Sequence, residues 1–161
     1  GSTKPHVFSW IIWGLTTVIV FLAQYAAKGG VGTYAIGVSG LITMYVALLS
    51  YQKRADISIT RSDQVYFSLA ILSLPFWYFT ADPLWAVLIL TTVDLLGFAP
   101  TFRKAYDHPF DEQLPFYYMM GLRNMIVILA LEHYSLATVL FPAAVGFAAF
   151  GFIGMVHVRR R

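Results

Sequence analysis

The sequence contains no cysteine, which excludes a disulfide framework, thiolate metal sites and thiol catalysis. Charge is scarce too. Only 12% of the 161 residues are Asp, Glu, Lys or Arg, against roughly a quarter in a soluble domain. No nucleophile–base arrangement and no phosphate-binding glycine loop occurs, so the chain is not expected to be an enzyme. His6, His108, His133 and His157 fall in loops or at helix ends, at no ligand spacing, so neither a metal site nor a cofactor is expected. The formal net charge of +3 sits in short loops rather than along one face. That pattern speaks against nucleic acid and marks membrane topology.

Apolar residues fill the space that charge leaves. They make up 58% of the chain, its mean hydropathy is +0.67, and they come in blocks about twenty residues long with the charges between them, the layout of a polytopic membrane protein. Gly1-Ser2 reads as a cloning remnant, and no small-residue cleavage pattern follows the first block, so no signal peptide is expected. Six helices are drawn, at about Val7–Ala26, Val31–Tyr51, Gln64–Thr80, Pro83–Phe102, Leu114–Leu131 and Ser135–Val158. Ser62 or Asp63 is expected to cap the third. Asp82-Pro83 supplies a cap and a first-turn proline for the fourth. The third is short and contains Pro75, so a kink is expected there.

Lys4, Lys53, Arg54, Arg61, Arg103, Lys104 and Arg159–Arg161 fall on one side of this layout, and only Lys28 falls on the other. The bias predicts that both termini are cytoplasmic, which requires an even number of spans. Aromatic residues at block ends, such as Trp10, Tyr51, Trp77, Trp85 and Tyr134, suit the two interfaces. The Arg triplet reads as a stop-transfer anchor. The small residues of VGTYAIGVSG and AAVGFAAFGFIG predict close helix packing.

Residues 14–23 read GLTTVIVFLA and residues 121–130 read GLRNMIVILA. Six of the ten positions are identical without a gap, both segments start from the predicted cytoplasmic side, and one further helix follows each. Repeats of like orientation are a transporter architecture. The second copy has a helix before it, carrying DLLGFAPTFRK, and the first copy has none. The expectation is an all-α membrane protein in one transmembrane domain over residues 1–161. It comprises an incomplete first unit at about 7–51, a linking inversion helix at 64–80 and a complete three-helix unit at 83–158, with the first helix of the first unit absent.

This plan resembles the PQ-loop superfamily, which includes the SWEET sugar transporters, and within it poorly characterised bacterial integral membrane proteins. The stretches that carry the likeness are KPHVFSWIIWG, ISITRSD, DLLGFAPTFRKAYDHP and ALEHYS. The resemblance implies seven helices in a three-one-three plan, a bacterial inner-membrane location and a proline hinge near the cytoplasmic end of a unit's first helix, here Pro100 with Gly97. The dipeptide is Pro100-Thr101 rather than Pro-Gln. The asparagines of sugar-transporting members have no counterpart in the second and sixth blocks, because the chain's single Asn is Asn124. Trp13 and Trp10 are candidates for the tryptophan those members use.

Asp94 and Arg123 are the strongly ionisable residues inside spans, and such residues need a partner or water. Both lie roughly 12 Å in from the cytoplasmic ends of successive helices, at 1.5 Å per residue, so a bidentate Asp94–Arg123 ion pair is expected. Asn124 and Thr91-Thr92 extend the polar patch, and Thr16 and Thr17 stand at the repeat positions of Arg123 and Asn124. The expected substrate-binding set is therefore Asp94, Arg123, Asn124, Thr91, Thr16 and Thr17, to which the resemblance adds Trp13. The expected function is a transporter or facilitator of a small polar solute in the lipid bilayer. The alternative is a non-transporting receptor, assembly factor or complex subunit, with a second copy or a partner chain supplying the missing helix. A green fluorescent protein fused after Arg161 should fluoresce, and alkaline phosphatase inserted after Lys28 should be active; the reverse pattern would refute the orientation.

Overall fold

The structure is a computed structural model that describes residues 7–52, 59, 61–112 and 114–161. All regular elements among them are helical. They are α1 (Val7–Ala26), α2 (Gly32–Gln52), α3 (Arg61–Thr80), α4 (Leu84–Asp107), α5 (Leu114–Leu129) and α6 (Leu136–Arg159), with a 3-10 turn at Pro109–Asp111. Three of them, α2, α4 and α6, are long and apolar enough to cross a membrane; α1 and α5 are shorter apolar helices.

Several boundaries depart from the sequence expectation. α3 begins at Arg61, so Asp63 lies inside its first turn, where it is buried, rather than capping from outside. Pro75, where a kink is expected, lies inside α3. α4 continues to Asp107, five residues past the expected end, because nothing between Phe102 and His108 breaks it. The Asp82 cap is as expected: its Oδ1 accepts the Leu84 N–H at 2.9 Å. Ser135 caps α6 reciprocally with Thr138, each side chain accepting the other's backbone N–H.

α1 packs against α2, α3, α4 and α6, while α2 reaches α5. α6 lies against both α4 and α5, and those two share no interface of comparable extent. Successive helices are therefore not neighbours at this point of the bundle. One buried cluster joins Val20, Ile36, Leu90, Val127 and Phe141 from five different helices. A second, toward the end where both termini lie, centres on Phe152, whose ring stands 4.1 Å from Tyr117 and 5.1 Å from Phe102.

Small residues set the close approaches. A Cβ added at Gly14 would lie 2.8 Å from Met44 Cγ, and one at Gly121 would lie 2.8 Å from Phe150 Cζ. These two glycines occupy matching positions in GLTTVIVFLA and GLRNMIVILA, and each faces the following helix, thirty and twenty-nine residues further on.

The ends of the bundle are fastened differently. At the end away from the termini, the α1–α2 and α5–α6 connections are knitted together. Gly32 N–H donates to Ala130 O and Glu132 N–H to Gly29 O, each at 3.0 Å, and Glu132 Oε1 accepts the Val31 N–H at 3.2 Å. Gly30 adopts φ +73° directly beneath the Glu132 side chain. At the other end the terminal arginines do more than anchor the chain. Arg160 donates to Pro109 O and Glu112 O at 2.9 and 2.7 Å, and Arg159 donates to Tyr106 O at 3.1 Å with its guanidinium 4.2 Å above the Tyr106 ring.

Gly32 sits against main chain that cannot swing aside: an added Cβ would lie 2.7 Å from Val127 O and 2.8 Å from Ala130 C. Gly32→Ala is expected to destabilise the protein by about 1–3 kcal/mol through overpacking. Gly151→Ala, where an added Cβ meets open space inside α6, should be neutral or stabilising by up to about 1 kcal/mol. Thermal unfolding of the purified protein in detergent checks both, and equal effects would show that the α2–α5 approach is not tight.

Candidate functional site

The sequence-predicted polar residues do converge, from four helices, on one level of the bundle. Asp94 on α4 is buried, and its Oδ1 accepts from Thr16 Oγ1 on α1 at 3.0 Å. The same hydroxyl also lies 3.0 Å from Trp13 O. One hydroxyl proton thus faces two acceptors, and the carboxylate has only a share of it. Thr17 donates to Trp13 O at 2.7 Å, a bond within its own helix. Trp13 closes the layer from the side: its Nε1 would stand 3.4 Å from a Cβ at Gly97.

Arg123 on α5 is half-buried, and its donors point elsewhere. Nη1 donates to Ser39 Oγ on α2 and Nη2 to Asn124 Oδ1 at 3.3 Å, while Nε is buried with no partner. Asn124 is fully buried; its Nδ2 donates to Met120 O at 2.8 Å, and its Cβ lies 3.3 Å from where a Gly146 Cβ would stand on α6. Gly40, beside Ser39, packs on the Thr17–Val18 backbone, which puts the arginine's anchor at the level of the Thr16–Asp94 contact.

The expected bidentate pair is therefore not formed. Among the described residues no hydrogen bond or ion pair joins Asp94 to Arg123, although the two charges attract through space. The cause is topological: α6 intervenes between α4 and α5, so equal depth on successive helices did not bring the side chains into contact. Thr91 belongs to the layer. It is 4% exposed, lies one turn from Asp94 on the same face, and its Oγ1 is buried without a partner. Thr92 does not belong: it faces outward and bonds Leu88 O on its own helix.

One participant of the layer, and one buried polar residue outside it, went unread in the sequence. Ser39 lies in VGTYAIGVSG, where serine is indistinguishable from the small residues that permit close packing. Gln24 on α1 is fully buried; its Nε2 donates to Thr138 O at 2.8 Å and its Oε1 has no partner. An amide inside the apolar run FLAQYA was the available signal. Pro100 falls within α4, which is helical on both sides of it. Among the described residues no group of acidic, His or Cys side chains could hold a metal ion.

Set against known proteins, the chain matches no family model, no curated protein and no solved structure. The site's chemistry is thus read from its own geometry.

Thr16 and Thr17 are neighbours with different duties, so they make a controlled comparison. Thr16→Val removes a hydrogen bond to a buried carboxylate and should cost about 1.5–3 kcal/mol. Thr17→Val removes only a bond to its own helix and should cost less than about 1 kcal/mol. Unfolding midpoints in detergent decide the matter, and equal losses would mean that the Thr16–Asp94 contact carries no special weight.

Proposed function

We propose that this chain is an integral membrane transporter or facilitator of a small polar solute, working by alternating access on a PQ-loop-like plan. In this reading all six helices span a bacterial inner membrane with both termini cytoplasmic. α1–α2 form the incomplete first unit, α3 is the inversion helix and α4–α6 form the complete second unit. The internal packing supports the repeat. Exchanging α1 with α5 and α2 with α6 turns the α1–α2 interface into α5–α6, and the α2–α5 contact into α1–α6; all four occur. The equivalent placement of Gly14 and Gly121 supports it too.

The observation that carries the functional reading is the state of the polar layer. A carboxylate and a guanidinium at bilayer depth each cost about 2.5–3.5 kcal/mol on insertion scales. A structural clamp would recover that by direct pairing. Here Asp94 and Arg123 are held apart on Thr16 and Ser39, and Arg123 Nε and Thr91 Oγ1 are left without partners. Unused donors and acceptors around two separated charges are what a polar solute requires. The end away from the termini is held by the knitted connections at Gly29–Gly32 and Ala130–Glu132. Gly97 and Pro100 lie on α4 between Asp94 and the end where the termini lie, where a hinge is placed by this reading.

A second reading, a non-transporting receptor, assembly factor or complex subunit, draws on α2. Its Val38, Leu41, Tyr45 and Leu48 form an exposed apolar stripe, and under the exchange of units no described helix covers α2 as α4 covers α6.

Purified protein in proteoliposomes is expected to take up a small polar solute. Pro100→Ala should slow that uptake by roughly tenfold or more, about 1.4 kcal/mol on the barrier, while leaving the unfolding midpoint nearly unchanged. Correctly folded wild-type protein that moves no polar solute would sink transport and leave the second reading.

A further inference from the structure

The separated charges also define the kind of solute, an assignment that rests on the transport reading above. We propose that the polar layer is built for a small zwitterion, a molecule carrying one ammonium and one carboxylate in the manner of an α-amino acid. The ammonium is received at Asp94 and Thr91, and the carboxylate at Arg123.

The donor and acceptor inventory leads there. At the Asp94 end, Thr16 has a single proton within 3.0 Å of both the carboxylate and Trp13 O. The carboxylate is acceptor-rich and short of donors. Thr91 Oγ1, one turn away on the same face of α4 and more than nine-tenths buried, is a further oxygen with nothing bonded to it. An ammonium brings three N–H donors to that pair of oxygens. At the Arg123 end the surplus is of donors. Nε is buried and unbonded, and the two outer nitrogens hold only the neutral Ser39 hydroxyl and Asn124 amide oxygen. A carboxylate would bind the guanidinium edge in bidentate fashion and displace nothing charged.

The other solute classes fit worse for a common reason. A neutral polyol gives neither charge a counter-charge in contact. An anion satisfies Arg123 but meets repulsion from Asp94, and a cation has the mirror-image difficulty. A zwitterion compensates both at once. The single Asn of the chain serves this site rather than a sugar: its Oδ1 holds Arg123 Nη2 and its Nδ2 is taken by Met120 O.

The test needs binding as well as transport. Detergent-solubilised full chain is titrated with glycine, alanine, serine and proline, and separately with propionate, ethylamine and erythritol, following the unfolding midpoint. The same seven compounds are then offered to proteoliposomes. At least one amino acid is expected to raise the midpoint and to be taken up, with the three trimmed or neutral compounds inactive at the same concentration. Arg123→Gln and Asp94→Asn should each weaken the amino-acid response about ten- to a hundredfold, the loss of one charged hydrogen bond. The wild-type selectivity series stands by itself, independent of how well either variant folds. Uptake of erythritol, propionate or ethylamine without any amino acid would overturn the zwitterion assignment and leave transport standing. Folded protein that neither binds nor moves any of the seven would overturn this assignment, and if it also moves no other polar solute the transport reading falls with it.

Discussion

Burying two opposite charges in one apolar bundle ordinarily resolves itself by bringing them together, and the rest of this structure depends on their being kept apart. Asp94 and Arg123 stand on helices that follow each other in the chain, yet α6 lies between those helices. Each charge has therefore found a hydroxyl from the other half of the bundle, Thr16 for the acid and Ser39 for the base. The contacts that tie α1 to α4 and α2 to α5 in the middle of the bundle are thus polar, while the layers on either side of them are apolar. Removing either hydroxyl would take from Asp94 or Arg123 its only side-chain partner, among the described residues, on the other half of the bundle.

Small side chains make that arrangement geometrically feasible. Gly40 brings α2 onto the Thr17–Val18 backbone, Gly32 brings it onto the end of α5, and Gly146 admits the Asn124 side chain beside α6. Without them the hydroxyls could not reach the charges across the helix interfaces. Packing and polarity are therefore one design: the stretches richest in Gly, Ala and Ser are the stretches that position the ionisable residues.

The helices themselves were legible in the sequence, because long apolar blocks bounded by charge have few alternatives in a membrane-like composition. Asp94, Arg123, Asn124, Thr91, Thr16 and Thr17 were legible for the same reason, since polarity inside such a block has to be accounted for. What a linear reading missed was who touches whom. Equal depth on successive helices suggested a direct Asp94–Arg123 contact, and depth says nothing about the order of helices around the bundle axis. Ser39 escaped notice because serine reads equally as a spacer and as a ligand. α4 ran past its expected end because the charged run that follows Phe102 marks the edge of an apolar block and contains no residue that stops a helix before His108.

The arginines at the end of α6 carry a mechanical implication. Arg159 and Arg160 bind carbonyls at Tyr106, Pro109 and Glu112, so the last turn of α4, the connection to α5 and the tip of α6 form one riveted corner. A lever with a rigid corner at its tip can flex only further along its shaft. Any bending of α4 must therefore fall in the stretch between the Thr16–Asp94 contact and Tyr106, and the whole corner must travel with it as a single piece.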